Sequence, residues 1–379
     1  MTSPSDQPPR RHSLVALGGD ISGAFGDLGT LLPYVIAGTG LGVLAPGPVF
    51  LGFAAGYLLV ALLYRAPIAV QPMKALGAVI ITGGLTAAET ALAGALLGLV
   101  LLALAATPLL GRAARALPQS VVTGLQAGLG LMLASLALEM MATGWWLALP
   151  AMALLALSWV WPRGPWALAV ILASVWLAPS DGQPLVSETA IIADGLSLTA
   201  VAGGVLAQLP LTLLNAVVVA AAVAHSLFPS TAPRVSERRL AASSGLLNLV
   251  LAPLGAMPMC HGAGGMAAHY RFGARSWVAP LAIAAACALA ALQGEEVVAW
   301  LAEIPAPVVG ALLAFAGVEL MLGKRLFDAR PDCRPVIAVT AVATLFGSAL
   351  VGLAAGLASE QLRRHLVRRR ARGTPHDRG

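Results

Sequence analysis

The chain has 379 residues, of which 58% are hydrophobic and only 11% charged, and its mean hydropathy is +0.84. A water-facing surface alone needs more charge than this, so a soluble globular domain is excluded. The formal net charge of +6 does not point to nucleic acid, because the basic residues sort along the chain in a way that a bilayer explains.

Taken in order, the chain opens with a polar tail, 1–12, that has no cleavable-signal pattern, so no signal peptide is expected. Apolar spans follow near 13–38, 48–64, 70–85, 88–111, 118–138, 146–161 and 165–178. A second set lies near 198–227, 239–254, 260–271, 276–293, 305–322 and 335–361. Many are long enough to cross about 30 Å of hydrocarbon. The last is interrupted by Gly347, Ser348 and Gly352 and divides into two short helices, which makes fourteen. The expected fold class is an all-α polytopic membrane protein. The 41 Gly and 26 Pro suit close helix packing and interrupted helices.

The charges fit this count. Arg65, Arg112, Arg115, Arg163, Arg234, Arg271, Arg275, Lys324 and Arg334 follow even-numbered spans, Arg10 and Arg11 precede the first, and the tail 362–379 is basic. The opposite loops carry Glu89, Glu139, Asp181, Glu188, Asp194, Glu295, Glu296 and Glu303. The excess of positive charge on one side places both termini in the cytoplasm of a multi-pass protein of the inner (plasma) membrane. One basic residue is left over. Lys74, in "AVQPMKALG", stands inside an apolar run.

The sequence also repeats. "LPQSVVTGLQAGLGLML" at 117–133 is similar to "IPAPVVGALLAFAGVEL" at 304–320, the Pro-Met pair at 72–73 recurs at 258–259, and "DLGTLLP" at 27–33 aligns with "LPLTLLN" at 209–215. These landmarks recur in one order at nearly one spacing. They predict two seven-span repeats, 13–180 and 196–361, of opposite orientation, with a site near the midplane where discontinuous helices meet.

Lys74 fits such a break. A helix over 72–85 rises only about 20 Å, too short to span, so 66–71 is expected to run extended and supply the rest. Pro72 suits a first helical turn and biases Gln71 toward extended geometry. In the second repeat, 258–274 begins with Pro and contains Gly262, Gly264 and Gly265, which let backbone approach a ligand. Two half-helices facing each other with unpaired N–H groups would suit an anion. Lys74 at mid-bilayer costs roughly 2.5–3.5 kcal/mol, which a bound oxyanion, or Asp27 or Glu319 in the empty site, would offset. Plainer readings stand beside these: Lys74 snorkelling to a surface, His261 and His269 as satisfied buried histidines, Cys260 as a small apolar residue, Asp20 and Asp27 as caps, and Asn215, Gln208 and Gln126 as bridging amides.

The motifs "FGDLGT" (25–30), "VQPMKALGA" (70–78), "QLPLTLLNAV" (208–217), "MPMCHGAGGMAAHYRFGAR" (257–275) and "FAGVEL" (315–320) resemble the molybdate transporter family, related to the SulP sulfate permeases. The resemblance implies the inverted seven-plus-seven fold of uracil permease, with spans 1–4 and 8–11 as a core domain and 5–7 and 12–14 as a gate domain. It implies a tetrahedral oxyanion substrate, molybdate first and sulfate second, bound by Gln71, Met73, Lys74, Cys260, His261, Gly262, Gly264 and Gly265, with Asp27, Thr30 and Asn215 lining the sides. With about eighteen residues after the last span, no STAS domain is expected. Glu319, Asp27, His261 and His269 are the candidate proton carriers for coupled uptake.

The partners expected are therefore molybdate or sulfate, protons and the lipid bilayer, and a homodimer is compatible with the sequence. No cofactor and no metal are expected. The chain holds no HExxH, no Cys/His cluster with ligand spacing and no nucleophile elbow, which argues against an enzyme; Cys260, Cys287 and Cys333 are odd in number and scattered. A proton–nucleobase symporter would be expected to present carboxylates rather than a lysine, and an anion channel would show unsaturable currents.

Overall fold

The computed structural model describes residues 14–161, 166–177, 195–294, 303–322 and 324–373, with residues 296 and 300. The N-terminal tail, Arg163, and the acidic positions 181, 188, 194 and 295 lie outside the described residues. The fold is almost wholly helical. Among the described residues, four helices are long and apolar enough to cross a membrane: Pro46–Tyr64 (α3), Ala87–Ala106 (α5), Gln119–Ala142 (α7) and the continuous stretch Leu198–Leu227. Their outward faces are apolar too, with Leu51, Leu62 and Leu99 all more than half exposed. Such faces suit lipid contact.

The first expected span is not one helix. Leu14–Ala24 (α1) gives way to a 3-10 turn, Phe25–Asp27, before Leu28–Gly40 (α2) resumes. The turn brings Asp27 into the protein interior, where it is buried. Span 198–227 is continuous, but its middle loosens into a π-helical stretch, Thr212–Val219, between Leu198–Leu211 (α10) and Ala220–Leu227 (α11). The break expected near Gly347 is present, between Arg334–Phe346 (α17) and Ala349–Gly373 (α18).

Two groups of helices pack around the middle. In one, α7 lies against Ala306–Met321 (α15) and α17. Glycines let the backbones touch: a Cβ on Gly130 would sit 2.5 Å from the Gly317 carbonyl oxygen, the small-residue contact expected in lipid. In the other, α3 packs on Val278–Leu292 (α14), and α5 on Glu237–Leu251 (α12) and α10. At one edge, Glu360 of α18 is buried, accepts from Ser120 of α7 at 3.0 Å, and pairs with Arg363 at 2.7 Å.

The third expected span is a half-helix. α3 closes at Arg65, the one described non-glycine residue in the left-handed region, with φ 52°. The chain then runs extended to the two-residue strand Gln71–Pro72 (β1), and helix begins only at Lys74, as Lys74–Ile81 (α4). Helix was expected from Pro72. Met73 remains extended because its N–H donates across to Pro258 O at 2.8 Å. The second repeat does the same: Met259–Cys260 (β2) leads into Ala263–Arg271 (α13).

Candidate functional site

β1 and β2 pair antiparallel, Gln71 opposite Cys260 and Pro72 opposite Met259. Each strand leads almost at once into a short helix, so this one pairing sets the N-termini of α4 and α13 beside the same junction. Asn248 of α12 fixes the second strand: its Oδ1 accepts from Met259 N–H at 2.8 Å and its Nδ2 donates to Met259 O at 2.6 Å.

Lys74 is the first residue of α4, half-buried, and lines two cavities of about 640 and 420 Å³. Gly264 and Glu319 line both as well. The larger cavity is walled by Asp27 and Thr30, by the aromatic faces of Trp159, Trp166 and Phe315, and by Arg271. The smaller is rich in amides, with Gln71, Gln126, Gln208 and Asn215 on its wall beside Cys260 and Gly262. Among the described residues no ion pair closes on Lys74, although Asp27 and Glu319 are both within its electrostatic reach.

The two half-helix ends are not alike. The N–H groups of Ala75 and Leu76 donate to Gln208 Oε1 at 2.9 and 3.0 Å, while Gln208 Nε2 donates to Thr212 at 2.8 Å. The expectation of a free amide cluster at α4 is therefore corrected: a glutamine from α10 already caps it. At α13 the N–H groups of Ala263, Gly264 and Gly265 have no protein acceptor among the described residues. The arrangement offers a cation from one half and open backbone donors from the other, a combination suited to an oxyanion.

Asp27 is held rather than open. Gln71 Nε2 donates to both its oxygens at 2.7 Å, and Gly265 lies so close that a Cβ there would be 2.3 Å from Asp27 Oδ2. Gly262 is glycine for the same reason: a Cβ would fall 1.4 Å from Gln71 Oε1. Gly264 faces open space. Of the three glycines, Gly262 and Gly264 line cavities, whereas Gly265 serves the packing of Asp27.

The remaining candidates separate. Met73 is fully buried in an apolar cluster and lines neither cavity. His261 is fully buried, with Nε2 at 2.7 Å from Ser243 Oγ and Nδ1 at 3.2 Å from Ala69 O; Ser243 bonds Tyr64 in turn at 2.6 Å. His269 sets Nδ1 2.7 Å from Gly23 O. Neither imidazole lines either of the two cavities; both nitrogens of His261 are partnered, whereas His269 Nε2 is buried with no hydrogen-bond partner among the described residues. Asp20, read as a cap, accepts from the N–H groups of Arg275 and Ser276 at 2.6 and 2.9 Å. Gln208, read as a bridging amide, does bridge α10 to the end of α4; Asn248 is the residue whose role the sequence did not disclose, its only signal an amide in an apolar run.

Chains of this architecture form a known class. The fold matches the transmembrane domain of a cyanobacterium bicarbonate transporter, BicA, with a TM-score of 0.64 over 93% of this chain and 99% of that one at 18% identity. It also matches murine Slc26a9, an anion transporter in the inward-facing state, with a TM-score of 0.70 over 95% of this chain and 70% of that one at 15% identity. This is an SLC26-type membrane transporter fold.

Sequence supplies the particular family. The family described as "Molybdate transporter of MFS superfamily" matches residues 19–133 and 200–320. Molybdate transporter 1 of Arabidopsis thaliana is 30% identical over 396 residues, covering 89% of this chain and 86% of the relative. Molybdate transporter 2 of the same plant is 26% identical over 404 residues, covering 90% and 86%. The chain belongs to the molybdate transporter family, and it is an anion transporter rather than an enzyme.

Proposed function

We propose that the chain carries molybdate across the inner membrane by alternating access, coupled to protons. The observation that carries this reading is Lys74 on the wall of both cavities, opposite the open amide end of α13. A tetrahedral dianion would take its positive partner from Lys74 and hydrogen bonds from the α13 backbone and Asn215, while Gln71, on the same wall, holds Asp27. Thr30 and Cys260 complete the walls. The expected fourteen spans would form two inverted seven-span repeats, with α4 and α13 in a core domain and α7, Trp145–Val160 (α8) and α15 in a gate domain. Both termini lie in the cytoplasm, by the excess of positive charge. The cavities, bounded by Arg271 and by the C-terminal end of α15, then open inward.

Moving two negative charges into an inside-negative cell costs about 4.6 kcal/mol per 100 mV, roughly a 2,000-fold gradient. A uniporter would not accumulate its substrate, and two protons are needed merely to cancel the charge. The cavity-facing carboxylates Asp27 and Glu319 are better placed to carry protons than His261 and His269. Competition uptake in proteoliposomes tests the reading: unlabelled molybdate and tungstate should suppress molybdate uptake more strongly than sulfate, and uptake should rise as external pH falls. Sulfate competing best would reassign the substrate, and flat uptake between about pH 5.5 and 8 would remove the proton coupling.

A further inference from the structure

Two carboxylates face Lys74, and they are held differently. Asp27 is fixed by Gln71 and packed on Gly265. Glu319 accepts no hydrogen bond from any described residue, is exposed to the cavity space, and stands on α15, which holds no other ionisable residue. With Lys74 and Gly264 it is common to both cavities. An oxyanion bound at Lys74 would meet this carboxylate directly.

The surrounding charges decide what that meeting does. Facing Glu319 are Lys74 from α4, Asp27 from the 3-10 turn and Tyr34 from α2. Arg271 of α13 stands on the larger cavity's wall and Cys260 of β2 on the smaller's. α7 contributes only Thr123 and Gln126, and α8 and Trp166–Leu177 (α9) contribute Trp159 and Trp166. Lys324 and Arg325 follow Glu319 in the chain. Arg271 is exposed at the rim, where solvent and salt screen it. At the centre one cation therefore faces two carboxylates, a net charge of −1, and an added dianion would make it −3. Water-poor surroundings do not tolerate that. A proton on Glu319 removes one repelling charge and turns an acceptor into an O–H that donates to the oxyanion.

We propose that Glu319 is the substrate's internal competitor: its carboxylate is the counter-charge of Lys74 in the empty site, and a dianion enters only as Glu319 takes up a proton from solution. The proposal rests on the oxyanion reading of the site and assigns to the gate helix α15 one of the protons that accompany the anion.

Molybdate titrations of the full chain in detergent between pH 6 and 8, in buffers of different ionisation enthalpy, test it by calorimetry. Wild-type affinity should fall roughly tenfold per pH unit above the Glu319 titration, the slope of one linked proton, with about one proton taken up per anion. Glu319→Gln should bind at pH 8 at least as tightly as wild type does at pH 6, with the slope flattened and proton uptake gone. Glu319→Asp, which keeps the charge, should keep the slope, and so separates charge from shape. A Glu319→Gln protein that is monodisperse yet retains the wild-type slope and proton uptake overturns the proposal while leaving the oxyanion site standing. Wild type that binds neither molybdate, tungstate nor sulfate at any pH overturns the site itself.

Discussion

Gly262→Ala is the substitution whose consequence can be followed furthest. The new Cβ would lie 1.4 Å from Gln71 Oε1 and 2.3 Å from Gln71 Cδ, so the amide must leave its place. In doing so it withdraws Nε2 from both oxygens of Asp27, each now at 2.7 Å. A hydrogen bond to a charged group is worth about 1.5–3 kcal/mol, so if the displaced amide disorganises the site by that amount, molybdate affinity falls about 10–150-fold. Calorimetric titration measures this, and a double-mutant cycle isolates its cause. Gln71→Ala removes the group that is struck, so adding Gly262→Ala to it should cost little more. Affinity within twofold of wild type for Gly262→Ala alone, or full additivity in the cycle, would refute the reasoning. Gly264→Ala is the steric control, because a Cβ there meets nothing within 4 Å, and it should remain folded.

Lys74→Ala should insert normally and lose tenfold or more in oxyanion affinity, the scale of a lost charge-assisted bond; unchanged affinity would make Lys74 a snorkelling residue. Gln208→Leu leaves the buried N–H groups of Ala75 and Leu76 without an acceptor, at about 1–3 kcal/mol each. Thermal unfolding in detergent should show a clear loss of stability that Gln208→Glu largely restores. His269→Gln should leave the pH profile of uptake where it is in wild type, since the imidazole lines neither cavity. A shifted profile would return His269 to the coupling path.

Much of the site was legible because it is written in local chemistry. Pro72 with the short apolar run after it, the Gly-rich stretch after Pro258 and the stranded lysine pointed to broken helices, and the structure places β1 and β2 before α4 and α13 accordingly. The first span's break at Phe25–Asp27 was not legible, since "FGDLGT" fits a helix passing straight through. For His261 the sequence left two readings, a ligand or a satisfied buried histidine, and only its bonds to Ser243 and Ala69 favour the second, since both ring nitrogens are in use.

By itself the sequence determined that this chain is built for lipid, that two of its apolar spans break, and that a cation sits where one of the short helices begins. Those follow from hydropathy, from proline's missing N–H and from charge, all of which act over a few residues. Which backbone donors remain free was decided only by tertiary structure. Gln208, 133 residues from Ala75, closes one helix end while the other is left open, and a contact at that separation has no local signature in the chain.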